Sequence, residues 1–116
     1  MTTFQPAGNA PAYDGNNSLL VNSRTGNSKA SVPTGAANTV VSAAPGRLCR
    51  VLVTTAGAGA GNVLIFDNAT TNSGTVIGVI PATIAIGTYY TFEMPAANGI
   101  TVANVVSGPV LTVTYD

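Results

Sequence analysis

From residue 38 onward the chain alternates between short stretches of β-forming residues and short stretches of turn-forming residues. The β-forming stretches are rich in Val, Ile, Thr, Tyr and Phe and span residues 39–43, 48–55, 63–67, 75–80, 88–94, 100–103 and 111–115. Between them lie turn signals such as Pro45-Gly46, Asn98-Gly99 and Gly108-Pro109. Short strands at this spacing, with hardly a helical period, predict an all-β domain over residues 36–116, an antiparallel β-sandwich.

The first 35 residues differ in composition, because Pro, Gly and polar residues interrupt them and their only apolar run is short. They hold too few large apolar residues to build a core of their own. We therefore predict an extended N-terminal arm over residues 1–35, which binds a partner through its larger side chains: Phe4, Tyr13, Leu19, Leu20 and Val21. A frayed terminus is the alternative. If residues 18–22 also form a strand, the fold is jelly-roll-like. A chain that lacks residues 1–33 is expected to fold but to attach poorly.

Two of the predicted strands alternate between apolar and polar residues, which is typical of a sheet with one face on the core and one in water. In residues 88–94 the face expected to meet the core carries Tyr90, Phe92 and Met94. Residues 111–115 follow the same pattern.

Other strands are apolar on both faces. Residues 50–53, 63–66 and 76–80 leave a two-layer sandwich with more apolar surface than its core can bury. We expect the surplus face to meet the arm or another copy of the chain. A cyclic assembly such as a trimer would satisfy this expectation.

Charged residues make up only 7% of the chain, and the formal net charge is +0. An ordinary soluble domain has roughly a quarter of its residues charged, so this composition favours a subunit packed into an assembly. The few cations are scattered, which argues against nucleic acid as a partner.

No apolar run approaches the roughly 18 residues of a membrane span, and the first residues lack the features of a signal peptide. We therefore expect a soluble protein made in the cytoplasm.

The sequence offers little for catalysis. Histidine is absent, which removes imidazole bases, His-ligated metals and the usual nucleophilic triads. We expect no enzyme, no catalytic residue, no cofactor and no metal site. The Ala-Gly repeat at 56–61 lacks the spacing of a phosphate-binding loop and predicts a flexible connection. Cys49 is the only cysteine and is predicted to be a buried core thiol.

Several segments carry a resemblance to a known family. They are GRLCRVLVTT at 46–55, NVLIFDNAT at 62–70, SGTVIG at 73–78, MP at 94–95 and NGITV at 98–102. In these segments the sequence resembles the small β-sandwich capsid decoration, or cement, proteins of tailed bacteriophages.

The resemblance implies a viral structural protein on the exterior of the phage head. Such proteins form homotrimers that bridge neighbouring major capsid proteins, and an N-terminal extension helps to clamp them. The implied partners are therefore the major capsid protein and further copies of this chain, with no nucleic acid and no membrane. The implied location is the capsid exterior of the virion, after synthesis in the host cytoplasm.

Two alternatives stay open. The first is a fibre, tail or baseplate β-domain of the virion that recognises host glycan or a partner protein. Tyr13, Tyr89 and Tyr90 are its candidates for stacking on a sugar, although Tyr89 and Tyr90 are more simply one exposed and one core residue of a strand. The second is a hydrolase of surface polysaccharide, which needs Asp67 and Glu93 to face each other across a groove.

Overall fold

A computed structural model describes residues 26–116, and this part of the chain contains eight β-strands and no helix. The strands are β1 (Ser28–Val32), β2 (Thr39–Ser42), β3 (Gly46–Thr55), β4 (Asn62–Asp67), β5 (Thr75–Pro81), β6 (Tyr89–Ala96), β7 (Ile100–Ala103) and β8 (Val110–Tyr115). All the strands predicted from residue 38 onward are present, with ends that agree to within about two residues.

The strands form two antiparallel sheets of four strands each. Sheet I has the order β1-β8-β3-β6, and sheet II has the order β2-β7-β4-β5. The prediction of an all-β fold, an antiparallel β-sandwich, is therefore confirmed. Consecutive strands change sheet at every step except from β4 to β5, so most strand pairs join residues that are far apart in sequence.

Strand β1 lies within the segment predicted as the N-terminal arm. It pairs with β8 from Ser28 opposite Tyr115 to Val32 opposite Leu111, and Val32 is fully buried in the core. The sandwich therefore begins at β1, ahead of the predicted boundary after residue 35. A truncation at residue 33 would remove this strand and open the edge of β8, so the expectation that a chain without residues 1–33 folds does not fit this structure. Residues 1–25 of the predicted arm, including residues 18–22, lie outside the described residues.

A bulge interrupts the pairing of β6 with β3. The register between β3 and β6 shifts at Leu48 to Arg50, and Glu93 has a φ of 52°, in the left-handed region. Tyr90 and Phe92 pack against the core as predicted, with ring centroids 5.9 Å apart. Met94 is 40% exposed. Met94 lies opposite the buried Leu48, on the predicted face, but on the edge strand β6 it stays open to solvent and is not part of the core.

The core fills the space between the inward faces of the two sheets. Its buried side chains are aliphatic and come from both sheets. Burial of one such side chain contributes roughly 1.5–3 kcal/mol to stability. Its largest fully buried members are Leu48, Ile65, Ile80, Ile100 and Leu111.

Four loops are joined at one end of the sandwich. The Ala-Gly segment of the β3–β4 loop donates hydrogen bonds from Gly57 N to Ile84 O (3.3 Å) and from Ala58 N to Ser107 O (2.8 Å). A Cβ atom at Gly57 would meet the carbonyl oxygen of Ala82. The segment predicted as a flexible connection is therefore a site of close backbone packing. Glycine is needed there because another backbone segment of the same chain leaves no room for a side chain.

Asn104 ties two of these loops together and gives a test of this end of the fold. Its Nδ2 donates to Pro33 O (3.0 Å) and Pro109 O (2.7 Å), and its Oδ1 accepts from Val105 N (2.8 Å). Asn104 is 5% exposed, so Asn104→Ala leaves buried backbone groups without partners. We expect a loss of about 2–3 kcal/mol in the free energy of unfolding, measured by urea titration.

The matched control is Asn62→Ala, because Asn62 is an exposed asparagine at the start of β4. That variant is expected to change the free energy of unfolding by no more than about 0.5 kcal/mol. Equal losses in the two variants would show that the buried hydrogen bonds of Asn104 do not stabilise the loops.

Candidate functional site

The outward face of sheet II is apolar and uncharged. In one row Val40 and Phe66 flank Thr101, and Val76 continues the row beyond Phe66. In the next row Leu64 lies between Ala103 and Val79. We call this surface the apolar face, and its apolar members are Val40, Leu64, Phe66, Val76, Val79 and Ala103.

Three side chains of the apolar face are open to solvent within the chain, whereas Phe66 is 9% exposed. Val40 and Val76 are each 42% exposed and Val79 is 46% exposed. Exposed apolar residues are ordinary when single, whereas a contiguous patch is typical of an interaction surface. The prediction that β4 and β5 would carry apolar residues on both faces is confirmed, because their inward residues, such as Ile65 and Ile80, are fully buried.

A second bulge builds the apolar face. Between β4 and β5 the register shifts at Ile65 and Phe66, so β5 has one residue more than its partner. The additional residue, Ile77, is buried in the core, and Val76 returns to the outward face opposite Phe66. A run of apolar residues in β5 therefore serves both the core and the outer surface.

One end of the apolar face is covered by the β4–β5 loop. Thr101 is fully buried and its Oγ1 donates to Asn68 O at 2.8 Å. Asn68 Oδ1 accepts from the backbone N–H groups of Thr70 and Thr71, each at 2.9 Å. Asn72 Nδ2 donates to Ala37 O at 2.8 Å, which links the loop to the start of sheet II. The rim is therefore made of neutral amides and hydroxyls. Like the apolar face that it borders, it carries no charge.

The outward face of sheet I has a different chemistry. Its register places Lys29, Thr114, Arg50 and Thr91 in one row across β1, β8, β3 and β6. The next row has Ser31, Thr112, Leu52 and Tyr89.

A groove of about 550 Å³ lies on this face. We call it the Arg50 groove, and the side chains that line it are Arg50, Leu52, Tyr89, Thr91, Thr112 and Thr114.

Tyr89 and Leu52 supply the apolar surface of the Arg50 groove. Tyr89 is 67% exposed, in contrast to Tyr90, which packs against the core. The prediction that one of these two tyrosines is exposed and the other is a core residue is confirmed, since Tyr90 is partly buried against the core. Tyr13, the third candidate for stacking on a sugar, lies outside the described residues.

The carboxylates of the described residues have other positions. Asp116 Oδ1 accepts from Asn27 N at 2.9 Å, and Asp67 ends a strand of sheet II. Glu93 lies at the bulge of β6, where its backbone oxygen accepts from Arg47 Nη1 at 2.8 Å. None of the three lines the Arg50 groove, so the ionised side chain within the groove is a cation.

Asp67 anchors the turn between β6 and β7. Its Oδ1 accepts from Asn98 N (2.8 Å) and Gly99 N (3.4 Å), and its Oδ2 accepts from Ala97 N (3.0 Å). These backbone hydrogen bonds stabilise the charged form and lower the pKa of Asp67, and those from Asn98 and Ala97 have the largest effects. Asp67 and Glu93 belong to different sheets.

Asp67→Asn tests this anchor through its dependence on pH. Because the folded pKa of Asp67 is below the unfolded value of about 4, the carboxylate stabilises the fold above that value and loses this effect as pH falls through the folded pKa. We expect the variant to have a lower urea midpoint than the parent protein at neutral pH and a smaller deficit in acid. A deficit that is the same at both pH values would refute the role of the carboxylate charge.

Cys49 is fully buried, as predicted, but it is not part of the core cluster between the sheets. The bulge of β3 at Leu48 to Arg50 turns it away from that core. Its Sγ donates to Asp116 Oδ2 at 3.6 Å. Burial, followed by the nearby charges of Asp116 and Glu93, raises the pKa of the thiol.

The thiol of Cys49 is therefore expected to react slowly. The thiolate is the nucleophile, so burial and a raised pKa both oppose alkylation. With iodoacetamide at pH 8 we expect a rate at least about tenfold lower in the folded protein than in urea. The control is Ser31→Cys in a Cys49→Ser background, because Ser31 is exposed. Equal rates for the two thiols in the folded state would show that Cys49 is accessible.

The predicted partner-binding residues Phe4, Tyr13, Leu19, Leu20 and Val21 all lie outside the described residues, so their role stays a prediction. The described chain starts on the outer side of sheet I, since a Cβ atom at Gly26 would lie 2.8 Å from Thr114 Oγ1 and 3.5 Å from Cys49 Cβ. The described chain therefore begins on the side opposite to the apolar face.

Within residues 26–116 no three Cys, Asp or Glu side chains come close enough together to hold a metal ion. This part of the chain also has no helix of the length and apolarity that crossing a membrane requires.

Comparisons of the chain with protein-family models, with curated proteins and with solved structures found no match. The resemblance to capsid decoration proteins therefore stays a prediction.

Proposed function

We propose that this protein is a viral structural protein, a capsid decoration protein that binds the exterior of a tailed-phage head and stabilises the joints between major capsid proteins. The observation that carries the proposal is the apolar face, which is contiguous and uncharged on a chain whose formal net charge is +0. Cover by another protein molecule would remove this surface from water.

The size of the apolar face supports binding in a lattice better than a tight pairwise complex. Four strands about 4.8 Å apart carry two side-chain rows about 7 Å apart, so the patch is on the order of 300 Å². A stable pairwise interface buries about 800 Å² per partner. A second contact is therefore needed, and the arm anchored through Leu19 to Val21 is the proposed one. Many copies held by two modest contacts each dissociate rarely from a large shell.

The strand order supports the jelly-roll part of the fold prediction. The sheet orders are β1-β8-β3-β6 and β2-β7-β4-β5, which is the nesting that two Greek keys produce. We propose self-association as a homotrimer, in which the apolar face lies against a neighbouring copy or a capsid subunit.

Co-sedimentation of the purified protein with undecorated heads tests the proposal. We expect the protein to pellet with the heads, and the bound amount to change little between about 0.1 M and about 1 M salt, because the apolar face has no charge to be screened. A protein that stays in the supernatant while the heads remain intact, or one released by salt, would refute this mode of attachment.

A second function is favoured by the Arg50 groove. A fibre, tail or baseplate domain that recognises host glycan or a partner protein would use such a groove, since its exposed Tyr89 offers a stacking surface. A glycan array and a cell-binding assay distinguish this function from decoration. We propose no hydrolase activity, because Asp67, one member of the required carboxylate pair, anchors a turn through three backbone bonds.

A further inference from the structure

The Arg50 groove brings together an aromatic, an aliphatic and a cationic side chain from two neighbouring strands. Leu52 on β3 lies directly opposite Tyr89 on β6, and Arg50 lies opposite Thr91 in the next row. Arg50 and Tyr89 are therefore diagonal neighbours, about 7–8 Å apart at their Cα atoms. A ring that lies on Tyr89 and Leu52 would place its substituents within reach of the guanidinium group.

Three threonines on two strands supply aliphatic hydroxyl groups to the groove. Thr114 Oγ1 accepts from Arg50 N at 3.1 Å, so this hydroxyl is engaged with the backbone of β3. Thr91 and Thr112 line the groove on either side of β3. A ligand with several hydroxyl groups would find donors and acceptors on both sides of the apolar floor.

The charged side chain that lines the groove is a cation, whereas Asp116 and Glu93 lie near Cys49, outside the groove. Arg50 lies within the groove, and Lys29 lies in the same row two strands away, which is about 10 Å. The carboxylates of Asp67, Glu93 and Asp116 do not line the groove. A ligand that complements this surface carries a negative charge, and the planar guanidinium group is suited to a carboxylate because it can donate two parallel hydrogen bonds.

We propose that the Arg50 groove binds a carboxylate-bearing saccharide, with Tyr89 and Leu52 against the face of one sugar ring and Arg50 on its carboxylate. The groove, about 550 Å³, lies within the range of small-ligand sites. Nucleic acid fits less well, since the groove is lined by a single cation, whereas phosphate backbones are bound by clusters of them. This inference deepens the second proposed function and is independent of decoration, which depends on the opposite face.

Calorimetric titration of the full chain with a trimer of galacturonic acid tests the proposal, and the neutral galactose trimer serves as the comparison. We expect the acidic trimer to bind at least about tenfold more tightly than the neutral one. Tyr89→Ala should weaken binding of the acidic trimer at least about tenfold, and Tyr89→Phe should retain it, because the aromatic face is kept. Arg50→Ala should remove the preference for the acidic trimer.

Arg47→Ala is the matched control for the lost cation, because Arg47 is on the same strand but outside the groove. It should bind like the parent protein. Urea titration of each variant shows that the fold is kept. The proposal is overturned if the acidic trimer does not bind, if both trimers bind equally, if Tyr89→Ala binds like the parent, or if hexaglutamate binds as tightly as the acidic trimer. Binding to heads is tested separately by co-sedimentation, because the Tyr89→Ala variant is still expected to pellet with heads.

Discussion

A chain that lacks residues 1–33 is expected to lose at least about 4 kcal/mol of its free energy of unfolding, whereas a chain that lacks residues 1–25 keeps its fold. The longer deletion removes β1, including the fully buried Val32 and the hydrogen bonds to β8. Burial of a valine contributes about 1.5–3 kcal/mol and each ladder hydrogen bond about 0.5–1.5 kcal/mol. Against a typical total of 5–15 kcal/mol, this loss leaves the domain partly or wholly unfolded. Urea titration followed by circular dichroism measures the difference.

Val32→Ala in the full chain serves as the control for this deletion. It removes the buried side chain but keeps the strand, so we expect a loss of about 1–3 kcal/mol, between those of the two truncations. Equal urea midpoints for the two truncated chains would show that β1 is dispensable. The shorter truncation is also the one suited to testing the arm, since it removes Phe4, Tyr13 and Leu19 to Val21 while it leaves the described fold whole.

Val79→Lys is expected to reduce occupancy on heads by at least about 100-fold while it leaves folding nearly unchanged. Val79 is 46% exposed in the described chain, so a lysine there keeps its ammonium group in water before binding. At a covered apolar face the same ammonium group would be buried without a partner, which costs several kcal/mol. Co-sedimentation measures occupancy, and urea titration measures folding.

Thr112→Lys is the matched control, because it adds the same charge to the outward face of sheet I. It should leave occupancy within about twofold of the parent protein. Equal occupancy for Val79→Lys and the parent would show that the apolar face stays in water on the head. Loss of occupancy in Thr112→Lys alone would assign attachment to sheet I.

The strands after residue 38 could be predicted because each has a local pattern of β-forming residues bounded by turn residues. Strand β1 could not, because its residues are mostly polar and its inward side chains are only Ala30 and Val32. Its partner strand, β8, lies about eighty residues later in the chain, and such pairing has no local signal.

The two outward faces differ in how far the sequence predicts them. Stretches that are apolar on both faces predicted the apolar face, since a strand with period-two side chains cannot bury both sides in one core. The Arg50 groove was not predicted, although the alternation of Arg50 and Leu52 with buried valines, and of Thr112 and Thr114 with buried aliphatic residues, suggests an outward polar face. Its three strands come together only through the sheet order, and bulges such as that of β3 between Leu48 and Arg50 shift the faces locally.

Imaging of decorated heads at side-chain resolution tests most directly whether neighbouring molecules cover the surface formed by β4 and β5. We expect density from a capsid subunit or a second copy in contact with Leu64, Val76 and Val79. Heads on which these three side chains face open solvent, with the protein held elsewhere, would show that the uncharged surface has another purpose.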